Sequence, residues 1–187
     1  MYTRLQNIAS RLDFIAETTG RLIAWLTLGM VIITFTIVVL RYLFNTGSIA
    51  LQESISYLHA CVFMLGAAYT LKQGGHVRVD IFYQKFSPLT RAWVDLLGTL
   101  LLLFPVCGFI FFSSLDYVAA SWAIHEGSRE AGGLDGVFLL KTLIPLTAVL
   151  LMLQGCSMVL HNLLLITGQS IMHDTGTNIG DGPDQEL

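Results

Sequence analysis

The chain has 187 residues, of which 54% are hydrophobic and 12% are charged, and its formal net charge is −3. Soluble domains carry about 25% charged residues, so this composition excludes an ordinary soluble domain and predicts a membrane protein. The chain has no long basic block that would indicate nucleic-acid binding. Its three cysteines stand singly in apolar runs, where cysteine behaves as a small apolar residue: Cys61, Cys107 and Cys156.

The first twenty residues have the pattern of an amphipathic helix. Their apolar residues recur at helical spacing, and the charged residues lie elsewhere around the helix: Leu5, Ile8, Leu12 and Ile15. We therefore expect residues 1–20 to form an interfacial helix on the cytoplasmic face, which enters the first span near Gly20. The alternative is that this segment only extends the first span into water.

Four long apolar runs predict four transmembrane helices. About 20 apolar residues cross the ~30 Å hydrocarbon core, and a chain in lipid must pair its backbone groups internally, as a helix does. The predicted fold is an all-α integral membrane protein with spans at about 22–42, 52–72, 94–116 and 137–166. These spans form a transmembrane domain over 21–168, and the polar, acidic tail at 169–187 is expected to be disordered.

The distribution of lysine and arginine predicts the orientation of the chain. Seven basic residues fall on the side of the N-terminus and central loop, and three on the other. Both termini are therefore expected in the cytoplasm. The first apolar run is too long for a typical cleaved signal peptide.

Glycine and proline residues mark the helix ends around the central loop. Gly74 and Gly75 are expected to end the second helix. Ser87 followed by Pro88 is typical of an N-cap and a first helical residue. Pro105 and Pro145 fall inside the third and fourth spans, where a kink would be absorbed by packing against neighbouring helices.

Glu53 opens the second span, where a carboxylate could cap the helix or favour its dipole. Lys141 and Arg41 lie near the same membrane face, and either could be its ion-pair partner. Alternatively, all three side chains extend separately into the interface, or a partner protein supplies the opposite charge. No carboxylate lies in the middle of a span, which disfavours a carrier that couples ions by itself.

The histidines raise the possibility of a haem. His59 is about 18 Å from the cytoplasmic end of its helix, whereas His161 lies near that end of the last helix. One haem iron could not bridge these depths, so His59 is expected to be a structural residue. The chain also lacks the motifs of P-loop, HExxH and GxSxG enzymes, and we predict that it is not an enzyme.

Four segments together carry a resemblance to a known family: RYLFN (41–45), LQES (51–54), FMLGAAYTLKQGGHVRVDIF (63–82) and KTLIP (141–145). In order and spacing they resemble the small membrane subunit (DctQ-type) of tripartite ATP-independent periplasmic, or TRAP, transporters. The resemblance covers about residues 12–168.

The resemblance implies a scaffold subunit in the bacterial inner membrane. Its partners would be a large permease subunit, which holds the substrate and Na⁺ sites, a periplasmic substrate-binding protein and membrane lipid. The solute would be an organic acid taken up by sodium symport, and this chain would carry no cofactor or substrate site. The alternative function is a membrane-anchor subunit of a respiratory enzyme.

The resemblance also suggests residues that contact the permease subunit. By position in the family pattern, the central-loop motif corresponds to Gly74, Gly75, His76, Arg78 and Asp80. Glu53 matches an acidic residue that opens the second helix of family members. With Arg41 and Lys141, these residues are the candidates for the subunit interface. The second helix keeps only one acid where members often have an acidic pair.

Overall fold

The computed structural model describes residues 2–75, 83 and 85–168, with side chains from residue 5 onwards. The helices are α1 (Tyr2–Leu43), α2 (Ile49–Lys72), α3 (Pro88–Gly98), α4 (Phe104–Ala123) and α5 (Val137–Ile166). A π-helical segment, Thr99–Leu103, joins α3 to α4. We refer to α3, this segment and α4 together as the third span.

The prediction of an all-α fold with four membrane helices is confirmed. In the described ranges, four helices are long and apolar enough to cross a membrane: α1, α2, the third span and α5. The acidic tail at 169–187 lies outside the described residues, and its predicted disorder stays a prediction.

Helix α1 continues through Gly20 without a break, so the N-terminal segment and the first span form one helix. Gly20 lies against the ring of Tyr69 on α2, and a Cβ at this position would be 2.6 Å from Tyr69 Cδ2. One glycine inside a helix costs only about 1 kcal/mol relative to alanine, so it does not end the helix. Its absent side chain instead allows α1 and α2 to approach closely.

The N-terminal part of α1 packs through small residues. Ala9 and Ala16 are buried, whereas Ile8 and Ile15 from the predicted apolar stripe are exposed. The face of α1 that carries the small residues therefore packs inside the bundle, whereas the adjacent face with the two isoleucines is exposed. An interfacial position for the exposed apolar side chains stays a prediction.

Both helix ends predicted at the central loop are confirmed. Gly74 has a left-handed backbone conformation (φ 64°) after the end of α2. The N–H groups of Gly74 and Gly75 donate to the carbonyls of Leu71 and Thr70, which is the Schellman arrangement. At the other side of the loop, the Ser87 hydroxyl accepts from the Thr90 N–H at 3.2 Å, and Pro88 begins α3.

Helix α5 is the centre of the described bundle. It packs against α1, α2 and both parts of the third span. The residues buried on α5 are Leu143, Pro145, Ala148, Gln154, Gly155, Ser157 and Leu164. The burial of Pro145 agrees with a packing role for this proline, and α5 is continuous across it. A Cβ on Gly155 would be 2.7 Å from Leu103 Cδ2, so the third span approaches α5 closely there.

The third span accommodates Pro105 through the π-helical segment immediately before it. The N–H of Phe104 donates to the Thr99 carbonyl, five residues earlier. Proline has no N–H, so the regular hydrogen-bond ladder is interrupted at this position. The wider π turn lets the helix pass this interruption without ending.

Candidate subunit interface

The described bundle has polar groups at both ends. We call one end the Glu53 rim, which comprises the start of α2, the 124–136 loop and the start of α5. We call the other end the Glu17 rim, which comprises residues 9–21 of α1, the end of α2, the start of α3 and the last three turns of α5. Of the interface candidates, Glu53 and Lys141 lie at the Glu53 rim, and Gly74 and Gly75 directly follow the end of α2 at the Glu17 rim.

Glu53 binds the 124–136 loop. Its carboxylate accepts a hydrogen bond from the Ser128 hydroxyl and a 2.7 Å bond from the Leu134 N–H. Gly133 lies beside it, and a Cβ there would be 2.7 Å from Glu53 Oε2. Glu53 therefore positions a loop of its own chain.

The 124–136 loop is folded back on itself and on the helix ends. The Ser128 N–H donates to the Leu134 carbonyl at 3.0 Å, and the Gly133 N–H to that of Glu130 at 3.0 Å. His125 has a left-handed conformation (φ 46°) at the end of α4, and the following N–H, of Glu126, donates to the Ser121 carbonyl. These backbone hydrogen bonds give the loop a defined turn structure despite its glycine-rich composition.

Lys141 pairs with Glu126 instead of Glu53. Its ammonium group binds the Glu126 carboxylate and lies 4.0 Å from the centroid of the Tyr117 ring. Ser121 also donates to Glu126, at 2.7 Å. The hydrogen bond from Lys141, followed by that from Ser121, holds the pKa of the Glu126 carboxyl below its usual value.

The alternative pairing of Glu53 with Arg41 is not seen either. Arg41 is exposed at the end of α1 and forms no ion pair within the described residues. Gly74 and Gly75 form the end of α2. His76, Arg78 and Asp80 lie outside the described residues, so the role assigned to them stays a prediction.

The Glu17 rim contains an ion-pair network that was not predicted from the sequence. Glu17 accepts from Lys72 Nζ at 2.8 Å and from Arg21 Nε at 3.0 Å, and Gln73 adds a 3.4 Å bond. These contacts join α1 to the end of α2. The sequence signal for this network was that an acidic and a basic residue lie at similar depths on neighbouring spans.

A second polar cluster joins α1 to α5 at the same rim. Asp13 Oδ1 accepts from the Ser157 hydroxyl at 2.6 Å and from Gln154 Nε2 at 3.1 Å. Asp13 Oδ2 is 3.8 Å from His161 Nε2, and His161 Nδ1 is 2.9 Å from the Ser157 carbonyl. The spacing of Gln154, Ser157 and His161 by three and four residues indicated a shared polar face, but nothing local identified Asp13 as its partner.

Two cavities lie between α2 and other elements, one at each rim. At the Glu53 rim, a cavity of about 420 Å³ is lined by Ser56, Tyr57 and Leu140 among others. At the Glu17 rim, a cavity of about 370 Å³ is lined by Leu71, Asp95, Thr99 and Met158 among others. Within the described residues, no group of histidine, cysteine and acidic side chains could hold a metal ion.

These features define a class: a multi-pass α-helical membrane protein with four spans, in which several charges at the rims form ion pairs within the described part of the chain. A family model described as "Tripartite ATP-independent periplasmic transporters, DctQ component" matches residues 30–165. The chain therefore belongs to the DctQ family and is a small component of a TRAP transporter. Membership implies partnership with a large permease subunit and a binding protein. No curated protein and no solved structure matches the chain.

Proposed function

We propose that the chain is the scaffold subunit of a sodium-coupled importer of an organic acid. The acid would be delivered by a periplasmic binding protein and carried by the large permease subunit, which this chain stabilises. The observation that carries the proposal is the DctQ family match, which extends from the middle of α1 to the end of α5.

The surface of the described bundle supports a role as a subunit. Helix α1 and the third span expose many large apolar side chains, including Trp25, Phe35, Phe109 and Phe112. Lipid covers such residues in any membrane protein, but a second membrane subunit can cover them too. Glu53 binds the 124–136 loop and Lys141 binds Glu126, so these two side chains tie the elements of the Glu53 rim together.

We further propose the bacterial inner membrane as the location, with both termini in the cytoplasm. The excess of lysine and arginine on the side of the N-terminus and central loop supports this orientation. In this orientation the Glu53 rim faces the periplasm and the Glu17 rim faces the cytoplasm. Single cysteines introduced at exposed Thr46 and Asn7 test it with a membrane-impermeant thiol reagent in intact spheroplasts, in which only the first should react.

The direct test of the function is purification of the tagged chain from its native membranes in mild detergent, followed by mass spectrometry. We expect a stoichiometric large permease subunit. The purified complex should take up an organic acid in liposomes only with an inward Na⁺ gradient and the loaded binding protein. Recovery of a flavoprotein or an iron–sulfur protein instead would establish the respiratory-anchor alternative.

The central loop provides a second test. Arg78 and Asp80 are proposed to contact the permease subunit, since they lie in a charged loop between two apolar spans. Reversal of either charge, Arg78→Glu or Asp80→Lys, should reduce recovery of the complex and uptake without preventing membrane insertion. Unchanged recovery and uptake for both variants would exclude this contact.

A further inference from the structure

One face of α2 is exposed and carries three polar side chains where the chain is expected to meet lipid. The residues of this face are Gln52, Ser56, His59 and Phe63, spaced by four, three and four positions, and we call them the α2 stripe. All four are exposed in the described bundle. Spacings of three and four residues place side chains on the same side of a helix, so the stripe is continuous.

The stripe reaches the middle of the span. Helix α2 has 24 residues, or about 36 Å at 1.5 Å per residue, and His59 lies about 15 Å from its first residue. The middle of a bilayer offers no hydrogen-bonding groups, and polar side chains exposed to it are costly. A histidine at this depth on an outward face therefore requires a partner.

The chain itself supplies no such partner among the described residues. His59 stacks on Phe63, with ring centroids 6.4 Å apart, but a stacked ring leaves the imidazole nitrogens unbonded. Within the same part of the chain, the side chains of Gln52, Ser56 and His59 make no hydrogen bond to another group. The exposed hydroxyls of α1 differ, because Thr34 and Thr36 donate to their own helix at 2.8 Å. Those threonines can face lipid, whereas the stripe cannot do so at low cost.

The shape of the bundle beside the stripe suits another helix. Helix α2 and the third span both pack on α5 and make few contacts with one another. One cavity lies beside each end of α2, and Ser56 of the stripe lines the one at the Glu53 rim. A transmembrane helix packed along this side of α2 would contact the stripe over about three turns, from Gln52 to Phe63.

We propose that the α2 stripe is the surface on which a transmembrane helix of the large permease subunit docks, with a hydrogen-bonding side chain opposite His59. This inference rests on the proposed function and specifies where the subunits meet. The roles of Glu53 and Lys141 at the interface stay predictions, and the stripe adds a contact at the middle of the span. Lipid tails cannot supply the required groups, and only a polypeptide at the same depth can.

Photocrosslinking tests the docking surface with closely matched positions. Phe63 on the stripe and Phe112 on the third span are exposed to 75% and 73%. In the full complex, each of these two phenylalanines is replaced in turn by the photoreactive residue benzoylphenylalanine, which keeps an aromatic ring at the position. Irradiation in native membranes should join the Phe63 variant to the permease subunit. A complex that contains the permease but gives no permease adduct from Phe63 overturns the proposal, as does an adduct only with a second copy of this chain.

The hydrogen bond opposite His59 is tested by substitution. His59→Leu should reduce the permease recovered with the chain by about threefold to tenfold, the range of interhelical hydrogen bonds in membranes. His59→Gln keeps a donor and an acceptor and should restore most of the recovery. Thr36→Val removes an exposed hydroxyl from another face and is the control. Equal recovery for His59→Leu and Thr36→Val contradicts the proposal.

The failure of this proposal is distinguishable from failure of the proposed function. If the permease purifies with the chain but crosslinks only from Phe112, the subunits meet on the third span and the scaffold function stands. If no permease purifies with the unmodified chain, the function itself fails. A permease adduct from Phe63 supports both.

Discussion

The backbone N–H of Leu134 donates a 2.7 Å hydrogen bond to the carboxylate of Glu53, across 81 positions of the chain. This bond fixes a loop between α4 and α5 to the first turns of α2. Glu53 therefore binds a loop of its own chain, and its place at the subunit interface stays a prediction.

Glu53→Ala should loosen the 124–136 loop. The substitution removes the acceptor of both the Ser128 hydroxyl and the Leu134 N–H, so the Leu134 amide should exchange with solvent several-fold faster. Hydrogen exchange measured by mass spectrometry on the purified chain reports this. Glu130→Gln alters an exposed acid of the same loop and is the control. Equal exchange in the two variants contradicts a role for Glu53 in holding the loop.

Acidification should weaken the contact between Glu126 and Lys141. Because the pKa of Glu126 is below its usual value of 4.5 in the folded chain, its stabilising contribution is present above that value. It is lost as the pH falls through the lower, folded-state pKa. The pH dependence therefore lies on the acid side of 4.5, and physiological pH leaves the pair intact.

Trp122 provides the measurement for that pair. Its indole N–H donates to Thr142 at 2.9 Å, one helical position from Lys141. In a variant with Trp25 and Trp93 replaced by phenylalanine, the Trp122 fluorescence should change as the pH falls below 4.5. Adding Glu126→Gln should greatly reduce this change. An acid transition of full size in the Gln variant would show that another group is responsible.

Gly20→Ala should destabilise the bundle, because the new Cβ would overlap the Tyr69 ring. Overpacking of this kind costs about 1–3 kcal/mol. At Gly66 on α2, an added Cβ would have no neighbouring atom within 4 Å, so Gly66→Ala should be neutral or stabilise by about 0.5–1 kcal/mol. Unfolding in mixed micelles, followed by circular dichroism, measures both. Equal stabilities would contradict a close approach of α1 and α2 at Gly20.

Asp13→Ala should separate the N-terminal part of α1 from α5. It removes the acceptor of Ser157 and of Gln154, which are 0% and 3% exposed. The Ser157 hydroxyl keeps a 3.4 Å contact with the Ala9 carbonyl, so the buried Gln154 amide is the group left without a partner, at a cost of about 1–3 kcal/mol. The same unfolding measurement should show this loss, and Asn7→Ala, at an exposed position of α1, should show little. A small effect of Asp13→Ala would mean that water replaces the carboxylate.

The elements of this fold could be predicted because their signals are local. Apolar run length identifies the spans, Gly74 with Gly75 marks the end of α2, and Ser87 with Pro88 marks the start of α3. The continuity of α1 at Gly20 could not be predicted in this way, because the reason for the glycine is Tyr69 on another helix. A glycine that ends a helix and one that admits a neighbouring ring have the same local sequence.

The partners of the charged residues could not be predicted from the sequence either. Glu53, Glu126 and Lys141 lie at one rim, and hydropathy places all three at similar depth. The choice among them depends on how the 124–136 loop folds, which is set by Ser128, Gly133 and backbone groups. The buried core could not be predicted either, because the length of an apolar run indicates that α5 crosses the membrane but not that it is the central helix.

The uninterrupted course of α1 has a mechanical consequence. Its 42 residues make a rod of about 63 Å, roughly twice the thickness of the hydrocarbon core. A change of about 10° in its tilt, pivoting at one end, would carry the other end sideways by about 11 Å. A continuous helix of this length converts a small rearrangement at one membrane face into a large displacement at the other.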